Sequence, residues 1–110
     1  MTEIYAVRYS PAARNDLKGI YSYIAVNLKE KQTAKNQATR IRSAIRSLAQ
    51  FPNRHEKVDW EPWASMGMRK MSVNRYIVFY LIDEENHTVT VTRIFYGGRD
   101  IEGMIQNENS

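Results

Sequence analysis

The chain contains no cysteine, which excludes a disulfide scaffold and the usual thiolate metal sites and points to a reducing cytosol. It has only two histidines, His55 and His87, and neither stands at a carboxylate spacing that suggests a metal cage. No apolar run approaches the ~20 residues of a membrane span. The opening MTEIYAVRYSP lacks the basic head and apolar stretch of a secretory signal. The five glycines are scattered apart from Gly97-Gly98, so there is neither a Walker loop nor a GxGxxG turn. Nothing marks a nucleophile elbow, and there are no internal repeats or low-complexity segments. These absences leave one cytoplasmic domain with no cofactor, metal site or membrane association expected.

What is present is 110 residues, 43% of them apolar, enough to build one core. The net charge of +4 is unevenly spread. Between Lys29 and Arg75 stand 11 lysines or arginines against 4 acids, a net of +7, and the remainder carries −3. Such a block recruits a polyanion or an acidic partner, or simply keeps helix surfaces solvated.

Periodicity predicts the element order. Glu3 to Tyr9 alternates as a short strand. Ser10-Pro11 reads as an N-cap followed by proline at the first helical position. Ala13, Leu17, Ile20, Tyr21, Ile24 and Leu28 make one stripe on a helix over 11–28. After a polar turn, Thr33 is expected to cap a second helix striped by Ala34, Ala38, Ile41, Ala44, Ile45 and Leu48. This helix ends at Phe51-Pro52. Its other face carries Lys35, Arg40, Arg42 and Arg46, and the short connection makes the two helices antiparallel neighbours. Residues 52–66 show no period and read as a long loop crowded with Trp60, Trp63, His55 and proline.

Three strand-like runs follow, Gly67–Val73, Tyr76–Asp83 and His87–Tyr96, joined by links short enough for hairpins. The middle run is apolar on both faces and belongs inside the sheet. The expectation is a small α+β domain, β-α-α-β-β-β, with a helical hairpin packed on one face of a mainly antiparallel sheet. Arg99 to Ile105 adds a last helical turn, and 106–110 is a polar tail beyond a 1–105 domain.

The final strand and its exit, Thr92-Arg93-Ile94-Phe95-Tyr96-Gly97-Gly98-Arg99-Asp100, carry the densest candidate chemistry. Two glycines allow a tight turn that would gather Arg93, Tyr96 and Arg99 at one sheet end. Arginine forks phosphate, and tyrosine stacks on a base or lends a hydroxyl. The bland alternative pairs Arg99 with Asp100 or a helix end and leaves Tyr96 as sheet edge.

The whole pattern resembles the RelE/ParE toxins of bacterial toxin–antitoxin systems. The resemblance rests on Tyr9-Ser10-Pro11-Ala12-Ala13 with Asp16-Leu17 and Ile20, then Tyr23-Ile24, Ala44-Ile45, Leu48 and Phe51-Pro52. It continues through Met68-Arg69-Lys70-Met71-Ser72-Val73, Tyr76-Ile77-Val78-Phe79-Tyr80, Arg93-Ile94 and Gly98-Arg99-Asp100. It implies a toxin neutralised by a cognate antitoxin, and two mechanisms on one fold. RelE-like and YoeB-like members cleave mRNA in the ribosome, whereas ParE-like members poison DNA gyrase.

Metal-free RNA cleavage needs a base, cations for the developing charge, and an acid for the leaving oxygen. RelE-like enzymes supply two lysines on the second strand and an arginine after the tyrosine that opens the third. They add an arginine after the fourth strand and a C-terminal tyrosine. The matching positions here hold Met68 and Lys70, Ile77 and Arg99, the C-terminal tyrosine position falls near Ile105, and Phe95-Tyr96 stands where YoeB-like enzymes have histidine. A nuclease would have to use Lys70, Arg99, Tyr96 and Arg93, with Arg69 and His55 or Glu56 converging from the long loop.

The missing groups favour a ParE-like gyrase poison that contacts its target through Arg69, Arg93, Tyr96 and Arg99. The alternatives are a ribosome-dependent nuclease, or a degenerate toxin that only binds antitoxin. An acidic antitoxin would suit Lys35, Arg42 and Arg46. Trp60 and Trp63 either cap one end of the core or anchor that partner.

Overall fold

Ser10 starts the first helix as its sequence predicts. Its Oγ accepts from the Ala13 amide at 3.0 Å and its hydroxyl donates to the Thr92 carbonyl at 2.8 Å, so one serine joins a helix start to the last strand. The computed structural model describes residues 4–108. Their order is β1 (Ala6–Tyr9), α1 (Pro11–Ser22), α2 (Lys31–Arg46), a one-turn α3 (Trp63–Met66), β2 (Arg69–Val73), β3 (Tyr76–Asp83), β4 (Thr88–Tyr96) and α4 (Ile101–Glu108).

The sheet order is β1-β4-β3-β2. The β2–β3 and β3–β4 pairs are antiparallel hairpins, while β1 runs parallel to β4. A parallel pair needs a crossover, and the α1–α2 hairpin supplies it. β3 is internal, as its two apolar faces require. Between Phe79↔Arg93 and Tyr80↔Val91 the register slips by one. The extra residue is Thr92, whose hydroxyl donates to the Phe79 carbonyl at 3.1 Å. This bulge lets Val89, Val91 and Ile94 all join the core beneath the hairpin despite their odd spacing. That core also takes Ala13, Leu17, Ala38, Ile41, Ile45, Leu48, Val78 and Tyr80.

Several boundaries differ from the sequence expectation. Regular α1 ends at Ser22 and continues as a wider π turn over Tyr23–Asn27, which turns Tyr23, Val26 and Leu28 outward. Leu28 therefore leaves the predicted stripe. Helix α2 begins at Lys31, two residues before Thr33, and the Thr33 hydroxyl donates to the Glu30 carboxylate at 3.1 Å. Gly67 is not in a strand but ends α3 at φ 79, a left-handed cap that glycine adopts without a Cβ clash. His87, at φ 49, belongs to the β3–β4 turn. β1 is shorter than predicted: the Tyr5 amide bonds the Ala49 carbonyl instead, and Glu3 lies outside the described residues. Helix α4 runs to Glu108, past the predicted tail boundary, and 109–110 lie outside the described residues.

The largest departure is over the second sheet face. The segment 52–66 is not an irregular loop, because it holds a 3₁₀ turn at Pro52–Arg54 and then α3. It edges β2 through the Lys57↔Arg69 bridge, with Val58 N–H donating to the Met68 carbonyl and Lys70 N–H to that of Glu56. Together with α4 it packs the sheet face opposite the hairpin, so both faces are covered.

Candidate functional site

On that second face Val58, Trp63, Met68, Phe79, Phe95, Ile101 and Ile105 form a closed apolar cluster, with Trp60, Ile77, Leu81 and Met104 packed against it. Trp60 stacks on Trp63 at 5.0 Å, and Trp63 meets Phe79 at 4.6 Å. Trp63 is only 7% exposed, so it caps a core and is closed to a partner. Met68, Ile77 and Ile105, at or near the positions where the resemblance to RelE-like enzymes leads one to expect a lysine, an arginine and a tyrosine, belong to this cluster or pack against it. Met68 is 1% exposed. Met68 and Ile105 fill the buried interior of the cluster, and Ile77 covers its side toward the end of β4.

The remaining charged candidates do not converge. Arg93 is turned to the edge of β4 that β1 leaves open. Its Nε donates to Asp16 Oδ2 at 2.9 Å and its guanidinium lies 4.4 Å over the Phe95 ring. The same Asp16 oxygen accepts from the Ile94 amide at 2.9 Å, so the carboxylate closes the edge and ties Arg93 to α1. Arg69 pairs with Tyr80 while Tyr96 pairs with Tyr76, four residues away along β3 or about 13 Å. Arg69 also donates to the carbonyls of Asn53 and His55 (3.2 and 2.6 Å), which pins the 52–66 segment. Burial, then Arg54 and Arg69, push the His55 pKa down and favour the neutral ring. Lys70 lies 3.9 Å from Glu56. The proposed gathering of Arg69, Arg93, His55 and Glu56 with Tyr96 is therefore not formed.

Tyr96 and Arg99 do share the sheet end. The Gly97 amide donates to the Arg75 carbonyl at 2.8 Å and the Arg99 amide to the Tyr96 carbonyl at 3.2 Å, closing the chain into a tight exit. A Cβ on Gly98 would come within 2.6 Å of the Tyr96 ring, so a larger residue there would displace that ring. Tyr96 meets Tyr76 edge to face at 5.9 Å. Ser72, Asn74, Arg75, Tyr76, Ile77, Tyr96 and the two glycines line a cavity of about 310 Å³. Burial, then neighbouring Tyr96 and Tyr23, push the Tyr76 pKa up, so this phenol stays neutral and is no general base. The site offers donors, cations and ring faces, which suits binding. Arg75 and Tyr76 were missed in the sequence, although a two-residue hairpin opposite Gly97-Gly98 marks where they must meet.

A family model described as ParE toxin of type II toxin-antitoxin system, parDE, matches residues 7–101. The chain belongs to this family. The fold is shared with toxin–antitoxin structures, among them a chromosomal ParDE system from P. aeruginosa at 18% identity and TM-score 0.69. That match covers 86% of this chain and 97% of the other. The RelBE2 toxin–antitoxin complex of Mycobacterium tuberculosis is similar at 25% identity and TM-score 0.58, covering 84% and 91%. The archaeal RelE–RelB complex of Pyrococcus horikoshii OT3 is similar at 13% identity and TM-score 0.61, covering 87% and 98%. No curated protein matched in sequence.

The second exposed region of this ParE-family chain is α2. Residues 31–55 contain six lysines or arginines and no acid. Lys35, Arg42 and Arg46 are exposed there, and none forms an ion pair among the described residues. Arg42 and Arg46 stand close enough to Tyr9 of β1 to offset part of the rise that burial gives its pKa. At the end of the helix, Phe51 sits at φ 50 and is 63% exposed beside Arg46 and Arg54. Arg54 donates to the carbonyls of Ser47, Gln50 and Phe51, closing the helix end that Phe51 leaves. Among the described residues no helix is long and apolar enough to cross a membrane.

Proposed function

We propose that this toxin arrests growth by binding DNA gyrase and that a cognate antitoxin neutralises it. The observation that carries this reading is the second-face cluster. Met68 and Ile105 are buried in this apolar cluster and half-buried Ile77 packs against it, at or near positions where an RNA-cleaving relative would need an ammonium, a phenol and a guanidinium. A phosphorane-like transition state demands charge placed in advance, and losing one such donor costs about 3 kcal/mol. Lys70 and Arg93 remain, but Glu56 and Asp16 engage them. A toxin without an acid–base set acts by occupying its target. The match of residues 7–101 to the ParE toxin family model supports this choice. The antitoxin is assigned to the cationic face of α2, through Lys35, Arg42 and Arg46.

Purified toxin added to gyrase and supercoiled DNA should accumulate cleaved complexes, and mRNA on translating ribosomes should stay intact. Ribosome-dependent cleavage with unaffected gyrase would overturn the proposal in favour of the nuclease. Absence of growth arrest on inducing the gene alone would favour a chain that only binds antitoxin.

A further inference from the structure

We infer that the notch where α2 ends is the apolar anchor point for an acidic peptide segment, whose aliphatic side chain lodges against Phe51 while adjoining carboxylates face Arg46 and Arg54. This rests on the reading that an acidic antitoxin meets α2, and it names where on that face the partner inserts a side chain.

The backbone of Phe51 carries the first part of the argument. Phe51 sits at φ 50 and ψ 55, a left-handed conformation that a residue with a bulky side chain rarely adopts. Pro52, which follows, further restricts it toward extended geometry. Glycine or asparagine would serve this turn with less strain. Burial does not offset the strain, because the ring is 63% exposed. Strain that packing leaves uncompensated points to a function for the side chain it displays.

The surroundings define the ligand. Arg46, Ser47, Ala49, Phe51 and Arg54 are among the residues that line a cavity of about 680 Å³. The Arg54 guanidinium is held by the Ser47, Gln50 and Phe51 carbonyls and by Ser47 Oγ, all neutral acceptors, so its charge is fixed at the notch and uncompensated. Arg46 forms no ion pair among the described residues, and no acid stands within 31–55. An exposed ring beside two uncompensated cations fits an apolar side chain flanked by carboxylates.

Two other occupants fit less well. A second copy of this chain, notch to notch, would set Arg46 and Arg54 against their own counterparts with no acid between them. A phosphate chain would gain little planar pairing, because Arg54 turns its fork onto the helix end.

The test is a nuclear magnetic resonance titration of the isotope-labelled full chain with the capped peptide Glu-Glu-Leu-Leu-Glu-Glu at 150 mM NaCl. Amide shifts should gather within 43–54, and Glu-Glu-Ser-Ser-Glu-Glu should bind at least about tenfold more weakly. Phe51→Gly should weaken the leucine peptide about 5- to 30-fold, whereas Phe51→Leu, which keeps an apolar side chain, should retain most of the affinity. Because glycine accepts this backbone, Phe51→Gly should still melt within about 8 °C of wild type. Lys35→Gln, about 17 Å up the helix from Arg46, should leave peptide binding unchanged.

The inference is overturned if the serine peptide binds as well as the leucine peptide, or if the shifts gather elsewhere. It is also overturned if Phe51→Gly binds like wild type, or melts more than about 8 °C lower and so proves the ring a packing element. A dimer that Phe51→Gly disperses, seen by sedimentation while the peptide gives no shifts, would assign the notch to a second copy instead. With purified antitoxin the two readings separate. Phe51→Gly should speed its dissociation, and Lys35→Gln/Arg42→Gln should slow its association. Dissociation unmoved by Phe51→Gly would overturn this inference alone, and association unmoved by the double variant would overturn the cationic-face reading alone.

Discussion

Tyr80 shows how much one residue can hold. It is fully buried in the hairpin-side core, and its hydroxyl donates to the Pro52 carbonyl at 2.5 Å, tying β3 to the 3₁₀ turn that opens the second-face segment. Burial pushes its pKa up to about 12, against the weaker pull of Arg69 and Arg54. Above pH ~10 the unfolded chain gives up this proton while the folded chain keeps it, so stability must fall as pH rises from about 10 to 12. The stake is on the order of 2 kcal/mol. Thermal melts should show a steeper decline over that window for wild type than for Tyr80→Phe. Tyr9 and Tyr76, also raised by burial, supply the slope that remains. The phenylalanine variant should start about 1 kcal/mol lower at neutral pH, because it leaves the Pro52 carbonyl unpaired. Equal slopes would show that Tyr80 ionises in the folded chain as freely as in the unfolded one.

At the scale of elements, the proposal rests on the second face of the sheet. Met68→Lys places an unpaired ammonium in the sealed cluster and should cost at least ~3 kcal/mol. At roughly 4–8 °C per kcal/mol, the melting temperature should drop by about 12 °C or more. Lys70→Met, two residues along, exchanges a half-exposed pair with Glu56 and should stay within ~0.5 kcal/mol. If Met68→Lys melts like wild type, the cluster is open and can hold the ammonium a nuclease needs. The same face shows what periodicity reveals and what it hides. Both helices of the hairpin, all four strands and the inner place of β3 were legible because their stripes repeat at 3.6 or 2 residues. The 52–66 segment was not, since Trp60, Trp63 and Val58 bury side chains without a regular repeat. Tyr96 and Arg99 could be placed together from the Gly97-Gly98 turn. Arg93 could not be placed, because its direction depends on the Thr92 bulge and on Asp16, 77 residues earlier in the chain. Periodicity reports local backbone geometry, whereas a salt bridge across the chain is fixed only by tertiary packing.

For the whole molecule, charge is divided between two surfaces that call for different partners. The α2 face concentrates cations over a stretch without acids, and the strand end sets Arg75 beside Tyr96 in one cavity, with Arg99 following the glycine turn. The first works mainly through its field, so its partner should arrive fast and be sensitive to salt. Antitoxin association followed by stopped-flow should therefore slow severalfold between 50 and 500 mM NaCl, as screening shortens the reach of the field from about 14 to 4 Å. Arg42→Gln/Arg46→Gln should lower the association rate at 50 mM and flatten this dependence, while leaving dissociation nearly unchanged. Arg75→Gln/Arg99→Gln should leave antitoxin association close to wild type, because those arginines belong to the other surface. An association rate indifferent to salt would move the antitoxin off α2 and onto an apolar surface. Exposed Phe51 at the helix end, or Tyr23, Val26 and Leu28 on the π turn, would then be the places to find it.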